Sequence, residues 1–140
     1  MPSLSTPLCV AAAQTPSAPG DLQPNLQTPL ACVRAAAHQG VQLLQFPELP
    51  LIGYEPLLMA DHVLTADHPV LAALRQAAQS HGMALVVGAP AAPVEPGALP
   101  AIGAWLLGPD GSVALYRKRH LHDNEEPFAS AGTDDAQVQL

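Results

Sequence analysis

The sequence predicts an α/β fold in which one sheet is layered with helices. Three observations lead to this prediction. Short apolar runs of strand length alternate with two segments whose apolar residues recur at helical spacing, and each helical segment ends at a glycine. The last two β-rich runs flank a Gly-Pro-Asp-Gly sequence, which is typical of a hairpin turn. An order that begins β-α-β-α-β and ends in a hairpin favours an α/β sheet.

The first strand, loop and helix follow from local composition. Residues 8–13 form a short apolar run, which predicts a buried strand, and residues 15–24 are rich in Pro, Gly and Asp, which predicts a loop. Thr28 can then cap a helix that has Pro29 at its first position, where proline is well tolerated. Gly40 supplies the stop of this helix.

The middle of the chain repeats this pattern with a longer connection. Residues 41–46 predict a second buried strand, and residues 53–67 predict an irregular loop with one short helix. Asp67 or His68 can cap the second helix, which carries a proline in its first turn and ends at Gly82.

Three further strands are predicted after that glycine. Residues 83–87 form an apolar run, which predicts the third strand. Residues 89–100 hold four prolines and a glycine, which indicates a flexible connection rather than regular structure. Residues 101–107 and 112–117 are the two arms of the hairpin.

The whole chain is predicted to be one domain, with residues 1–7 and 133–140 frayed. Its length of 140 residues fits a single domain. Hydrophobic residues make up 49% of the sequence and charged residues only 12%, so a sizeable core is expected. So few charges also predict that some apolar surface faces a partner, either a missing half or another subunit.

Charge and motif content argue against several kinds of partner. The net charge of −7 disfavours nucleic acid and anionic membranes. The N-terminus lacks a basic region and no apolar run approaches the roughly 20 residues of a membrane span, so we expect a cytoplasmic protein. The six histidines lack metal-ligand spacing, which predicts no metal site. Cys9 and Cys32 lie in apolar surroundings and are interpreted as small core residues rather than reactive thiols.

Glu48 follows the second predicted strand, in the sequence Phe46-Pro47-Glu48-Leu49. A glutamate that leaves a buried strand is partly removed from water, which suits a general base. Ligands of α/β sheets bind beyond the carboxyl ends of the strands, so this position favours a role in a site. The alternative is a solvated glutamate at the edge of a loop, with no role.

Lys118 is the only lysine in the sequence and follows the last predicted strand, between Arg117 and Arg119. Alternation along a strand directs Tyr116 and Lys118 to one face of the sheet and the two arginines to the other. An ammonium group aimed into a crevice can stabilise an oxyanion, and Glu48 can face the same crevice. The alternative is a basic strand end that extends into solvent.

Together these segments resemble the nitrilase superfamily of carbon–nitrogen hydrolases, over about residues 10–132. The resemblance rests on the order and spacing of short segments rather than on any one of them. The matching segments are residues 10–14, 20–22, 25–26, 43–49, 53–54, 86–90, 109–111 and 116–121.

This resemblance implies an α-β-β-α sandwich, of which the chain holds the N-terminal part, and a Glu-Lys-Cys triad that acts on non-peptide C–N bonds. It implies that Glu48 is the general base and that Lys118 stabilises the tetrahedral intermediate. Taken alone, the pair Glu125 and Glu126 is typical of surface charge. The family's spacing to Gly132 favours Glu125 as a second glutamate that orients the lysine or the substrate. The implied substrate is a small amide or nitrile, with no cofactor, and the intact protein is expected to be a homo-oligomer.

Two departures from the family pattern bear on function. The strand before the Pro-Asp-Gly turn begins Ala101-Ile102, where the family often has an asparagine. The nucleophilic cysteine of the family lies beyond the matched part, since neither Cys9 nor Cys32 occupies its motif, so we expect the 140-residue chain alone to be inactive. Two alternatives stay open: a non-catalytic half-domain that binds a partner, and the glutaminase domain of a synthetase.

Overall fold

Within the residues that the structure describes, five strands form one sheet in chain order, and two helices cover one of its faces. This is a computed structural model, and it describes residues 6–135 and 137. The strands are β1 (Val10–Ala12), β2 (Leu43–Gln45), β3 (Ala84–Ala91), β4 (Ala101–Leu107) and β5 (Val113–Arg117). The helices are α1 (Leu22–Ala37) and α2 (Pro69–His81), with a 3₁₀-helix at Pro56–His62. Among the described residues, no helix is long and apolar enough to cross a membrane.

The strand directions explain where the site forms. Strands β1, β2 and β3 are parallel, whereas β4 is antiparallel to both β3 and β5. Strand β5 therefore runs in the same direction as β2, and both end at the same edge of the sheet. Because β-α-β crossovers are right-handed, two successive crossovers in one direction leave both helices on the same face.

The core lies between the helices and this face of the sheet. Leu74 of α2, Val33 of α1 and Val87 of β3 are all fully buried in one cluster. Alternate strand residues point to the opposite face, where Val86 and Leu106 are only half-buried. That face carries an open concavity of about 290 Å³, and we call it the open face.

The predicted start of the first helix is wrong. Helix α1 begins at Leu22, so Pro29 lies inside the helix rather than at its first position. The buried amide of Asn25 accounts for the earlier start, because it bonds to the backbone of Ala18 and Leu51 and ties the first turn to the rest of the fold. Tertiary contacts of this kind offset the helical hydrogen bond that a proline removes.

Other boundaries also differ from the prediction. Strand β1 was expected to be buried, but Val10 is 59% exposed, because β1 is a three-residue edge strand. Strand β3 extends through Ala91, so the first three residues of the predicted connection 89–100 are paired with β4 instead. Cys9 is exposed beside this edge and is not a core residue, while Cys32 of α1 packs partly buried against the core.

The second helix, the short helix and the hairpin confirm the sequence analysis, whereas β2 spans only Leu43–Gln45 of the predicted residues 41–46. Helix α2 has His68 as its N-cap and ends at Gly82, which adopts the left-handed conformation. The short helix predicted within residues 53–67 is the 3₁₀-helix, and the hairpin is formed by β4 and β5. Of the ends predicted to fray, residues 1–5, 136 and 138–140 lie outside the described residues.

Candidate active site

Glu48 lies at the carboxyl end of β2, on a turn that packs tightly against β3. The preceding Phe46 is buried and donates its backbone N–H to Val86 at 3.0 Å. The following Leu49 is fully buried with a positive φ of 52°, which is unusual for a residue other than glycine. Gly88 permits this approach, since a Cβ there would lie 2.6 Å from the backbone nitrogen of Leu49. The turn is therefore held on both sides, and Glu48 has a defined position.

Lys118 immediately follows β5 at the same edge of the sheet. Its backbone N–H donates to Ile102 at 2.8 Å, and its carbonyl accepts from Gly132 at 2.8 Å. Alternation along β5 directs the side chain of Lys118 to the side of Glu48. The side chain of Arg117 points to the other side, where it donates to both carboxylate oxygens of Asp134.

The side chains of Glu48, Lys118 and Glu125 form one ion cluster. The ammonium nitrogen of Lys118 lies 3.2 and 3.3 Å from the carboxylate oxygens of Glu48, and 3.0 Å from Oε1 of Glu125. The side chain of Glu48 is 40% exposed, that of Lys118 28% and that of Glu125 only 3%. Two carboxylates share one ammonium group, so the cluster carries a net negative charge, and its more accessible carboxylate is Glu48.

Glu125 is the buried anchor of the ion cluster. Its Oε2 accepts the backbone N–H of His122 at 2.8 Å, and its Oε1 accepts the hydroxyl of Tyr54 at 2.7 Å. Burial opposes ionisation of this carboxyl, but the hydrogen bonds from Tyr54, His122 and Lys118 outweigh it and lower its pKa to about 2. Glu126, the other member of the pair, is exposed.

Lys118 stays protonated in this environment. Partial burial favours the neutral amine, but the hydrogen bonds to Glu125 and Glu48 are stronger together and raise the pKa of Lys118. A lysine in this state donates hydrogen bonds and stabilises developing negative charge, and it does not act as a base or nucleophile.

A concavity of about 170 Å³ opens beside the ion cluster. Glu48 and Lys118 line it, together with Tyr116 and the backbone of β4 around Gly103. Neither Cys9 nor Cys32 lines it, and within the described part of the chain no group of His, Cys, Asp and Glu side chains is arranged to hold a metal ion. The cavity therefore presents a carboxylate that can accept a proton and an ammonium that can stabilise an oxyanion.

Sequence reasoning missed two members of this arrangement. Residues 53–54 belong to the segments that resemble the family, but the sequence alone gives no role to Tyr54 or to the backbone N–H of His122. The order Gly53-Tyr54 after the Glu48 turn was the only available signal, because the contact between Tyr54 and Glu125 spans 71 positions.

Comparisons with known proteins bear on the family and the fold of the chain. Residues 9–139 match the family described as carbon–nitrogen hydrolase. The amidase of Nesterenkonia sp. AN1 is 30% identical, with a TM-score of 0.80, over 95% of this chain and 52% of that one. A search of curated protein sequences gave no significant match.

Two other structures of that amidase contain bound molecules. A cysteine-to-alanine variant is in complex with butyramide, at 30% identity and a TM-score of 0.79 over 95% of this chain and 51% of that one. A glutamate-to-leucine variant shows covalent addition of the acetamide moiety of fluoroacetamide at the active-site cysteine, at 30% identity and a TM-score of 0.76 over 91% and 49%. The chain thus spans about half the length of the solved proteins it resembles.

Proposed function

The chain belongs to the carbon–nitrogen hydrolase family, and on that basis we propose that the intact protein hydrolyses a non-peptide C–N bond of a small amide or nitrile. The reaction uses a Glu-Lys-Cys triad in which the cysteine lies outside these 140 residues. The observation that carries this proposal is the ion cluster, in which an ammonium that stays protonated lies 3.2 Å from an accessible carboxylate at a cavity.

Each residue of the ion cluster has a distinct role in the proposed reaction on an amide. Glu48 takes the thiol proton, and the resulting thiolate attacks the carbonyl carbon. Lys118 stabilises the oxyanion of the tetrahedral intermediate. As the C–N bond breaks, Glu48 returns the proton to the departing nitrogen, which leaves as ammonia or an amine. Glu48 then takes a proton from water, whose attack on the thioester releases the acid and regenerates the thiol.

Glu125 orients Lys118 rather than exchanging protons. With its pKa lowered to about 2, it remains an anion throughout the neutral range. Its two oxygens are held by His122, Tyr54 and Lys118. A fixed anion behind the lysine holds the ammonium in place without becoming a second base.

The choice of substrate rests on the solved relatives. A variant of the amidase of Nesterenkonia sp. AN1 binds butyramide, so short aliphatic amides are the first substrates to test. Amidase and nitrilase activity are distinguished by assaying the corresponding nitriles alongside the amides.

The test begins with the coding sequence downstream of Leu140. If the frame continues into a strand with a cysteine, the complete product should release ammonia from butyramide. Glu48→Gln should then lower kcat/KM at least about a thousandfold, since it removes the proton acceptor for both half-reactions. Glu126→Gln, which removes an exposed carboxylate next to the anchor, is the matched control and should stay within about twofold of wild type. Hydrolysis that survives Glu48→Gln contradicts the proposal.

The open face of the sheet supports a second candidate, a half-domain that binds a partner without catalysis. Val10 is 59% exposed there, and Val86 and Leu106 are half-buried around the concavity of about 290 Å³. A stop directly after Leu140, with no amide or nitrile hydrolysis by the product, would favour this candidate.

A further inference from the structure

The hydroxyl of Tyr54 donates to Glu125 of the ion cluster but takes no part in the proton transfers of the proposed reaction. Tyr54 lies six residues after Glu48, on the same tightly held segment, in which Leu49 and Ile52 are fully buried. The chain reverses at Gly53, whose φ of 76° is in the left-handed region. One well-packed segment therefore carries both a direct partner of Lys118 and a group that reaches Lys118 through Glu125.

Tyr54 reaches Lys118 through a single shared atom. Its hydroxyl donates to Oε1 of Glu125 at 2.7 Å, and the ammonium of Lys118 donates to the same oxygen at 3.0 Å. The other oxygen of Glu125 is occupied by the backbone N–H of His122. Since two donors share the negative charge of Oε1, each donor weakens the hydrogen bond that the other makes with this oxygen.

We propose that Tyr54 is a positioning residue for Lys118: by donating to Oε1 of Glu125, it limits the hold of Glu125 on the ammonium and keeps that group directed toward Glu48 and the cavity. The catalytic consequence of this role rests on the proposed function. The contact itself is tested on the 140-residue chain, without any hydrolysis.

The protonation state of Tyr54 suits this role. The hydrogen bond to Glu125, followed by partial burial and the nearby carboxylate charges, raises the pKa of Tyr54. The phenol thus stays protonated and remains a donor at neutral pH, where Glu125 is ionised.

The substitution Tyr54→Phe removes only the donor. Because the side chain of Tyr54 is partly exposed, with the residue 46% accessible, phenylalanine fits without a change in packing. We expect the titration midpoint of the Glu125 carboxyl, followed by ¹³C NMR, to rise by about one pH unit, since the anion loses one of its donors. Tyr116→Phe removes the same atom from the only other tyrosine, which lines the cavity without bonding to Glu125, and should leave the midpoint in place.

Lys118 supplies a second and independent readout because it is the only lysine. In Tyr54→Phe, Glu125 becomes a stronger acceptor for the ammonium, so less neutral amine is present. We expect acylation of Lys118 by an amine-reactive ester at pH 8.5, measured by peptide mass mapping, to slow about threefold. In a Glu125→Gln background the same substitution should have no effect on this rate.

The two readouts decide the inference. An unchanged Glu125 midpoint and acylation rate in a folded Tyr54→Phe chain would overturn it, as would an equal slowing in the Glu125→Gln background. An intact protein that hydrolyses no amide or nitrile would remove the proposed function and leave these titrations unaffected. If both readouts are unchanged in Tyr54→Phe while the intact protein hydrolyses its substrate normally, the proposed role of Tyr54 is wrong and the proposed function stands.

Discussion

Two neighbouring residues at the end of β5 bind carboxylates on opposite sides of the chain, with different consequences. Arg117 pairs with Asp134 at 2.9 Å, one cation with one anion, and it also donates to the carbonyl of Ala92 at 2.7 Å. Lys118 is shared by two carboxylates, one of them buried and one open to a cavity. The first contact is a neutral pair, whereas the second leaves an excess negative charge and an accessible carboxylate.

The difference fits a structural role for the contact of Arg117 and the proposed catalytic role of Lys118. The guanidinium of Arg117 holds the returning segment of residues 130–135 in place. The ammonium of Lys118 is a compact charge that can turn between partners. In the proposed reaction Lys118 contacts a developing oxyanion as well as Glu48 and needs this freedom, whereas Arg117 only fastens a segment.

The strongest test of this comparison removes the lysine. Lys118→Met should lower the free energy of unfolding by about 2–3 kcal/mol at pH 7, because it leaves the Glu125 anion buried with a donor missing. Urea unfolding measures the change. Arg119→Met, at an exposed neighbour, is the control and should stay within about 0.5 kcal/mol of wild type. A similar small loss for Lys118→Met would mean that Glu125 does not depend on it.

A second test uses pH. The pKa of Glu125 is about 2 in the folded state and lies near 4.5 without these contacts, so ionised Glu125 stabilises the fold above pH 4.5. This stability should be lost as the pH falls from 4.5 toward 2, by about 2 kcal/mol after allowance for solvent screening. Urea unfolding of wild type and Glu125→Gln at several pH values measures it. The variant should lack this part of the pH dependence, and parallel curves for the two proteins would contradict the assignment.

The smallest effect is expected on the structural side of the comparison. Asp134→Asn removes the charge that pairs with Arg117 but keeps an oxygen that can accept the backbone N–H of Arg117. Because this pair is partly exposed, we expect a loss of about 0.5–1 kcal/mol that shrinks in high salt. Asp135→Asn, at the exposed next residue, is the matched control for the change in net charge. A loss as large as that of Lys118→Met would erase the distinction between the two contacts.

The sequence predicted more of the fold than of the contacts. Helix α2 and the hairpin were predicted closely, because a proline, a glycine and a Pro-Asp-Gly turn mark their ends locally. Helix α1 was placed too late along the chain, because the buried amide of Asn25 stabilises a turn that no local pattern marks. The exposure of β1 was also unpredicted, since an edge position depends on the other strands.

The sequence by itself determined the order of the elements and placed Glu48 and Lys118 directly after strands, whereas the pairing of the strands decided that β2 and β5 end at the same edge of the sheet. The family's spacing to Gly132 already favoured Glu125 over Glu126, but only the tertiary structure decided that Glu125 is buried and that Tyr54 joins it across 71 positions. The physical reason is the distance along the chain over which each feature is determined. Periodicity records which face of an element is buried, residue by residue. The hydrogen bonds and the pKa of Glu125 depend on donors that are far apart in the chain. Sheet register and turns bring these donors within about 3 Å of the carboxylate.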